Sequence, residues 1–490
     1  MVPAWIFLAA SLLLMKYLWS RRWVYYYTWK IAGPVSFPII GSTHLLLREG
    51  YDGFLKTFTS VCKTQPAVFK LWLGGHLLIV TSQPEDIEIF LTKYLKKGTF
   101  YEFGKELMGD SLINLPVEQW KVNRKIINQS FNSKILNSFV PSFVKYANRL
   151  VEDLSKLCDG KSTDILPEVF KCTLDAAIEN LTDVDASLIK GQEKFIANII
   201  RMEDLLMFRM YRFWLHMNWV WKRTAEGKEN SKLSKETTEF IKQIINRKKM
   251  ELQKNTYNDD IKRKQFLNHL FNISDETSLS EHAITDETKT MLIASSETTA
   301  ITISMVLLVL AIRSDVQNKI YKELTTLLNG KDRDVTLEDL NKMLYLECTI
   351  KETMRFFPTV PAYVRTVDEN VKLDSYTVPA GSTFLIAAVH MNKREDIWSD
   401  PLTFNPDRFL SQNDTLRHKC AYVPFSYGPR NCIGLNYAML SMKAILATLL
   451  KNYMFYPVGY KSFEDIEFSY SVVAKVRNGY NIRLTHVDKQ

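Results

Sequence analysis

The residues best suited to chemistry lie between positions 425 and 434, where the sequence reads FSYGPRNCIG. Cys432 occupies a turn punctuated by Gly428 and Gly434, and an apolar helical pattern begins directly after the turn. A thiol at the N-terminus of a helix lies near unpaired N–H groups and the positive end of the helix dipole, and both favour the thiolate. A single thiolate on a rigid loop suits the axial position of haem iron, and Arg430 could reach an anionic group such as a propionate.

A single cysteine after a turn is more often a buried structural residue, so the position of Cys432 does not decide its role. Here the pattern Phe-x-x-Gly-x-Arg-x-Cys-x-Gly, which begins at Phe425, is matched at every defined position. The segment closely resembles the haem-binding loop of cytochrome P450 enzymes. That resemblance implies haem b as the cofactor, Cys432 as its proximal iron ligand, and Phe425, Arg430 and Gly434 as residues that contact the haem.

Residues 294–299 read ASSETT inside a long, mostly apolar segment. A threonine in a helix can donate to the carbonyl four residues earlier and bend the helix, and a neighbouring carboxyl can carry protons from solvent. The segment resembles the oxygen-activation segment of cytochrome P450s, which implies that Thr298 and Glu297 are catalytic. Ser295 replaces the usual glycine, so proton delivery is expected to differ. The competing interpretation is a set of ordinary small polar residues on a buried helix.

Glu352 and Arg355 lie three residues apart on a predicted helix, a spacing that is common for ion pairs on solvated faces. A second motif makes a more specific interpretation of this pair possible. It is the sequence FNPDRF at residues 404–409, which contains Arg408. Together these motifs resemble the Glu-x-x-Arg and Phe-x-Pro-x-Arg-Phe elements of cytochrome P450s. The resemblance implies a buried charged network of Glu352, Arg355 and Arg408 that supports the cysteine loop.

Three further residues complete the set that the resemblance assigns to the cofactor. Trp120 and Arg124 lie one helical turn apart, which by itself is typical of an amphipathic surface helix. In the cytochrome P450 pattern this pair lies over a haem propionate, and Arg365 is a further propionate partner. The end of the cysteine loop is most similar to the fatty-acid ω-hydroxylase clan and its insect relatives. In many of those enzymes a glutamate that can esterify the haem occupies the position of Ala294.

The elements that must position these residues are mostly helical. The pattern predicts a long helix over residues 286–312, helices at 314–328 and 343–356, and polar loops at 222–233 and 253–263. Residues 68–73 and 76–80 flank Gly74-Gly75 and predict a hairpin, and residues 468–485 return to strand-like alternation. The resemblance implies the same class: a mainly α fold with small β-sheets (α+β), cytochrome P450-like, with an N-terminal membrane anchor.

The first part of the chain predicts a membrane anchor. Residues 2–19 are nearly all apolar, close to the roughly 17 residues that a spanning helix needs. Aromatic residues and the pair Arg21-Arg22 follow the span, which places the body in the cytosol by the positive-inside rule. We therefore expect an anchor and flank at 1–31, a catalytic domain at 32–490, and location in the endoplasmic reticulum membrane. The net charge is +9, but the basic residues do not form a stripe of the kind that binds nucleic acids. The six cysteines form no C-x-x-C pair.

The chain lacks a G-x-G-x-x-G motif and a P-loop, so its electrons must come from a partner. The resemblance implies NADPH–cytochrome P450 reductase, with cytochrome b5 as a second donor, and a lipophilic substrate such as a fatty acid, a hormone-like lipid or a xenobiotic. The apolar stretch 205–220 suits equally a membrane-facing channel mouth or an ordinary core. Six basic residues are candidates for docking the reductase: Lys121, Lys125, Arg417, His418, Lys419 and Lys443.

Two other classes of protein would use the same cysteine loop. A haem-thiolate isomerase or dehydratase would need no external electrons, and a non-catalytic haem sensor would need no proton relay. Retention of Thr298 and Glu297 argues against both. The resemblance therefore favours a monooxygenase that inserts one oxygen atom from O2 into its substrate.

Overall fold

The computed structural model describes residues 4–37, 40–47, 53–98, 100–158, 160–254, 261, 264–277, 279–329, 331–410 and 417–487. Helices dominate this part of the chain, as the sequence predicts. The α-helices are Ala4–Ser20, Arg22–Thr28, Thr43–Leu47, Phe54–Thr64, Pro84–Lys93, Phe100–Phe103, Lys105–Met108, Val117–Ile127, Ser133–Ser138, Val140–Ser155, Leu166–Thr182, Gln192–Tyr211, Asn218–Trp221, Ala225–Lys254, Phe266–Thr277, Glu281–Ile312, Ser314–Leu328, Leu337–Lys342, Leu344–Phe356, Ala388–Met391 and Leu435–Asn452. Short 3-10 helices cover Asn128–Phe131, Ala186–Leu188, Phe213–Leu215, Pro406–Phe409 and Phe463–Asp465.

The strands are short and form four small sheets. They are β1 Val68–Leu73, β2 His76–Thr81, β3 Thr163–Asp164, β4 Tyr363–Thr366, β5 Val371–Lys372, β6 Thr377–Val378, β7 Thr383–Ile386, β8 Tyr453–Pro457, β9 Phe468–Tyr470, β10 Ala474–Val476 and β11 Asn481–His486. The largest sheet has the order β1-β2-β7-β4, in which β2 and β7 are parallel and the other pairs antiparallel. The others are β3-β11-β8, β9-β10 and β5-β6. The fold is therefore mainly α with small sheets, as predicted.

The helix Glu281–Ile312, here called the long helix, is the centre of the core. Ser280 caps its start, since its hydroxyl accepts the N–H of Ala283 at 3.1 Å, and nearly all of its residues after the first turn are buried. It packs against Leu166–Thr182 and Leu435–Asn452. Among the described residues it is the one helix long and apolar enough to cross a membrane, but most of it is buried inside the protein, as a core helix must be.

The predicted polar loop at 222–233 is wrong, because most of it begins the helix Ala225–Lys254. The composition of this stretch is polar, yet one of its side chains and the side chain of Ser234, the residue that follows it, reach the neighbouring helix Lys105–Met108. Asn230 Nδ2 donates to Glu106 Oε2 at 2.7 Å, and Ser234 Oγ donates to the Glu106 carbonyl at 2.6 Å. Tertiary contacts of this kind are invisible to a local pattern. Part of the second predicted loop, at 253–263, lies outside the described residues.

Candidate active site

The cysteine loop is closed by its own backbone. The Cys432 N–H donates to the Phe425 carbonyl at 2.9 Å, and the Asn431 N–H donates to the Gly428 carbonyl at 3.0 Å. Gly434 then precedes the helix Leu435–Asn452, as the apolar pattern predicts. These bonds fix where the thiol stands relative to that helix.

The two glycines of the loop serve different purposes. Gly428 has a φ of +73°, and a Cβ there would lie 2.3 Å from the carbonyl oxygen of Leu91, so only glycine fits. The carbonyl belongs to the helix Pro84–Lys93, which means that this glycine permits packing between two parts of the protein. At Gly434 a Cβ would meet only the Cys432 Sγ, at 3.8 Å. A side chain at this position would therefore stand beside the thiol.

Cys432 has accessible surface, but that surface faces the interior of the protein. Burial raises the pKa of its thiol, while the N–H of Gly434 and the charges of Arg124 and Lys97 act in the opposite direction. The expectation of a thiolate favoured by the helix N-terminus is therefore wrong for the protein alone, because desolvation outweighs the helix effect. Coordination to a metal ion deprotonates a thiol outright.

Arg124 and Trp120, both on the helix Val117–Ile127, reach the cysteine loop directly. The two terminal nitrogens of Arg124 donate to the carbonyl and the side-chain oxygen of Asn431, at 2.9 and 3.0 Å. The guanidinium carbon of Arg430 lies 4.4 Å from the ring centre of the buried Trp120. The structure thus brings together four residues that the sequence assigns to one cofactor.

Two buried arginines hold donors that no described residue satisfies. Arg430 donates from Nη2 to the Leu115 carbonyl at 2.9 Å, but its Nε and Nη1 have no partner. Arg365, on β4, donates from Nη1 to the Val364 carbonyl at 2.8 Å, and its Nε has none. Buried charged donors without acceptors are costly, so these atoms fit an anionic group such as a haem propionate.

Sequence reasoning missed Lys97, which belongs to the same group of charges. Burial lowers the pKa of this lysine, the charges of Arg365, Arg430 and Arg124 act in the same direction, and the nearby Cys432 opposes them. Its ammonium also lies 4.4 Å from the ring centre of Tyr101. No motif surrounds Lys97, so only the fold reveals that it faces the cysteine.

Three residues of the long helix keep accessible surface in the middle of an otherwise buried stretch. They are Ala294, Ser295 and Thr298, and we call them the accessible strip. The Thr298 hydroxyl donates to the Ala294 carbonyl at 2.8 Å, the four-residue back-bond that the sequence suggests. The Ser295 hydroxyl makes the same kind of bond to Met291 at 2.6 Å. The strip has the residue types for guiding protons and water across one face of the helix.

Glu297 does not lie on the accessible strip and does not reach solvent. It is buried, and its Oε1 lies 2.7 Å from Lys475 Nζ. Lys475 Nζ also lies 2.8 Å from Glu203 Oε2. Glu297 therefore has no direct access to solvent, and its nearest charged neighbour is Lys475.

The charged network around Glu352 is buried. Arg355 donates to both oxygens of Glu352, at 2.7 and 2.8 Å, and Arg408 Nε lies 3.3 Å from Oε1. Backbone carbonyls satisfy the remaining guanidinium donors of Arg355, among them those of Asn392 and Pro401. Removing one member of such a network leaves a buried charge unpaired, at about 3–5 kcal/mol.

Comparison with known proteins identifies the family to which this chain belongs. The family model described as "Cytochrome P450" matches residues 31–482. The chain belongs to the cytochrome P450 family. It is 33% identical over 491 residues to probable cytochrome P450 313a4 of Drosophila melanogaster, across 95% of this chain and 96% of the relative. Cytochrome P450 4c21 of Blattella germanica is 31% identical, with 91% of each chain covered, and cytochrome P450 4V2 of Rattus norvegicus is 30% identical, with 92% and 88% covered.

As a cytochrome P450, this protein is an oxidoreductase of the haem-dependent monooxygenase class. Its cofactor is haem b with a cysteine ligand. The side chains around Cys432 fit that group, since they combine a reachable thiol, an aromatic platform and buried cationic donors that lack acceptors. The insect and 4V2 relatives agree with the similarity seen in the cysteine loop.

Proposed function

We propose that this cytochrome P450 inserts oxygen into a lipophilic substrate, such as a fatty acid, a hormone-like lipid or a xenobiotic, using electrons from NADPH that a reductase delivers. The observation that carries the proposal is the accessible strip, because it puts hydroxyl groups on one face of an otherwise buried helix. An isomerase or a haem sensor has no use for such groups.

Four groups of this chain would hold the cofactor. Cys432 would bind the iron, Arg365 and Arg430 would bind propionates through their unpartnered nitrogens, and Trp120 would support Arg430 from behind. Arg124 would act partly through Asn431, which it already holds. When bound, thiolate-ligated haem supplies the activation of O2 that side chains alone cannot provide.

The accessible strip would control protons on the reacting face. The hydroxyls of Thr298 and Ser295 each donate to a carbonyl of their own helix, which leaves their oxygen lone pairs able to accept from water. A hydroxyl in this position can orient a water molecule and pass a proton along. Ser295 adds a second hydroxyl where the family usually has none, so the strip offers two routes for the same proton.

The apolar segment 205–220 supports a lipophilic substrate that arrives from a membrane. Leu205 and Leu215 are buried in a small cluster with Trp221. Several large residues nearby are exposed instead, which favours a membrane-facing mouth over an ordinary core: Phe213, Trp214, Met217 and Trp219. The helix Ala4–Ser20 also exposes large apolar side chains, among them Trp5, Leu13 and Trp19. We infer an anchor at the endoplasmic reticulum membrane, with the body in the cytosol.

The reductase would dock near the helix Val117–Ile127. A surface depression of about 330 Å³ there is lined by Trp120, Lys121, Arg124, Lys125, Asn128 and Pro429. Its basic rim suits an acidic flavoprotein. Lys443 must be removed from the candidate set, because it is buried and paired with Glu347 at 3.0 Å. His418 and Lys419 are also engaged, since both lie against Glu88.

Replacing the proposed iron ligand tests this assignment. We expect Cys432→Ser to lose completely the red-shifted Soret band that a thiolate-ligated haem gives in its reduced carbon monoxide complex. Cys158→Ser, at the other cysteine that is not buried, is the matched control and should keep the band. NADPH consumption with reductase then separates a monooxygenase from an isomerase or a sensor. A band that survives in Cys432→Ser would contradict the assignment.

A further inference from the structure

Two carboxyl groups and one ammonium meet in the interior, next to the accessible strip. Glu203 comes from the helix Gln192–Tyr211, Glu297 from the long helix, and Lys475 from the β9–β10 hairpin. Lys475 Nζ lies 2.8 Å from Glu203 Oε2 and 2.7 Å from Glu297 Oε1. The side chains of Glu203 and Glu297 are 1% and 3% exposed, so one positive charge faces two acids almost out of contact with water.

The contacts of Glu203 indicate that it carries a proton. Its Oε2 accepts from the Ser471 hydroxyl at 3.1 Å and from Lys475, but its buried Oε1 receives no donor from the described part of the chain. Lys475 Nζ lies within 2.8 Å of one oxygen of each acid, so the two carboxyl groups are held next to each other in the interior. Two ionised carboxylates in such a position repel each other, which favours a proton on one of them.

The net charge of Glu203, Glu297 and Lys475 also favours one proton on the pair of acids. Two ionised acids and one lysine would leave a buried net charge of −1, which a single shared proton removes. Burial, and then the neighbouring Glu297, raise the pKa of Glu203 to about 8, although Lys475 opposes them. Burial lowers the pKa of Lys475, but the two acids outweigh it and the pKa is raised overall. Tyr470 is a further titratable group that faces Glu203.

We propose that Glu203 and Glu297 share one proton in a buried carboxyl pair, held by Lys475, and that this pair supplies protons to the accessible strip during oxygen activation. The inference rests on the proposed roles of Thr298 and Glu297. Glu203 and Lys475 are positioning residues in this scheme, since they act through Glu297. Neither follows from any motif in the sequence.

The proton balance of the reaction defines the step. Each productive turnover converts a substrate C–H into C–OH, releases the second oxygen of O2 as water, and consumes two electrons and two protons. The O–H bond of the carboxyl pair breaks, its proton passes toward Thr298, and both acids are left ionised beside Lys475. Lys475 keeps 13% of its side chain exposed, so a proton from solvent can return through it. The pair is then ready for the next proton.

The test uses the full-chain holoenzyme with reductase in phospholipid vesicles. The rate of NADPH consumption is followed from well below to well above pH 8, with dodecanoic acid as the probe and also without added substrate. The pair holds its proton below the pKa of Glu203 and loses it above, so the parent should slow as pH rises through about 8. Glu203→Gln should be at least about tenfold slower below that pH, and the two rates should converge above it. Asp204→Asn, the neighbouring acid, should follow the parent throughout.

A second variant and an infrared spectrum test independently whether Glu203 carries the proton. Lys475→Met removes the charge that favours ionisation of Glu203, so the same fall in rate should move to higher pH. The infrared difference spectrum of the parent minus Glu203→Gln at neutral pH should contain the carbonyl band of a protonated carboxyl, while the contribution of other protonated acids such as Glu287 cancels. If the difference spectrum lacks this band, or if Glu203→Gln matches the parent at every pH, the carboxyl pair is not the source of the proton. If Thr298→Ala also leaves unchanged the fraction of consumed NADPH that appears as product, the proposed function of the accessible strip itself is wrong.

Discussion

At the scale of single residues, three neighbouring hydroxyls on the long helix differ in what they face. Thr298 and Ser295 belong to the accessible strip, whereas Ser296 is fully buried and donates to the Leu292 carbonyl at 2.6 Å. The sequence allows either serine to replace Thr298, but the structure restricts that role to Ser295. Two residues of the same type, side by side, therefore have different expected roles.

We predict that Thr298→Ala raises hydrogen peroxide released per NADPH consumed by a few fold, because control of proton delivery is weakened. The double variant Ser295→Ala/Thr298→Ala should raise it further, because loss of a positioned proton-transfer group commonly slows the productive step by roughly 10²–10⁴-fold. Ser296→Ala is the matched control and should behave like the parent, with haem content unchanged in all three. Equal coupling in parent and double variant would show that protons travel elsewhere.

Ala294 leads to a prediction about how the cofactor is held. It lies on the accessible strip and has no carboxylate with which to esterify the haem, and the nearest acid, Glu297, points away toward Lys475. We therefore predict that acid–organic extraction releases all the haem into the solvent phase. Ala294→Glu, which restores an acid at this position, is the informative comparison. A haem–peptide adduct from the parent protein under denaturing chromatography would contradict the prediction.

At the scale of elements, a buried acid fastens the loop before the helix Val117–Ile127 to the long helix. Glu287 accepts the N–H of Leu112 at 3.0 Å and Asn123 Nδ2 at 2.9 Å. Burial raises the pKa of Glu287 from its ordinary value of 4.5 to about 7, although both hydrogen bonds act against the shift. The neutral acid is thus the form that the fold prefers.

This shift predicts how stability depends on pH. A raised pKa adds to the free energy of unfolding below pH 4.5, and the addition is lost as pH rises through about 7. Between pH 5 and pH 8 the parent should lose on the order of 2 kcal/mol relative to Glu287→Gln, which cannot ionise. Denaturant titrations across this range measure the difference. Glu118→Gln, at an exposed acid of the adjacent helix, should run parallel to the parent.

Element by element, the sequence predicted what depends on local patterns. The β1–β2 hairpin, the long helix and the helix Leu344–Phe356 follow from turn residues and apolar spacing, and all three are present. What could not be predicted depends on contacts between distant segments. Residues 203, 297 and 475 meet only after folding, and the helix Ala225–Lys254 is polar where it begins, so its partners are not visible in the sequence.

The same division holds within the site. The positions of Cys432, Glu352 and Arg355 could be inferred because each lies in a motif. In the structure the cysteine loop is closed by its own backbone, and Arg355 pairs with Glu352. The raised pKa of the Cys432 thiol could not be inferred in this way. A helix N-terminus favours a thiolate by a local effect, but the opposing desolvation depends on the whole surrounding fold.

At the scale of the whole molecule, two predictions concern the proposed membrane anchor and the side of the membrane on which the body of the protein lies. The sequences NLT at residues 180–182 and NIS at residues 272–274 match the N-glycosylation pattern Asn-x-Ser/Thr. Asn180 is buried within the helix Leu166–Thr182 and cannot report on topology, whereas Asn272 is exposed. We predict that glycosidase treatment leaves the electrophoretic mobility of the protein unchanged, because Asn272 stays in the cytosol. We also predict that deletion of residues 2–31 releases much of the protein from alkaline-washed membranes.

The control for topology is the same chain behind a cleavable secretory signal. Delivered to the lumen, its body should gain a glycan at Asn272, which proves that the acceptor can be modified. A glycan on the parent protein would reverse the proposed orientation. Full retention of the deletion variant on membranes would assign the attachment to the exposed residues near 213–219 instead.

The turn before Cys432 is fastened by contacts that belong to the polypeptide alone. Gly428 lies against the Leu91 carbonyl, and the loop closes through the Phe425 and Gly428 carbonyls. The chain can therefore shape the seat of its iron ligand while it folds, before the prosthetic group arrives. We therefore expect haem uptake by the folded apoprotein to be limited by entry to the interior, and not by rearrangement of the loop.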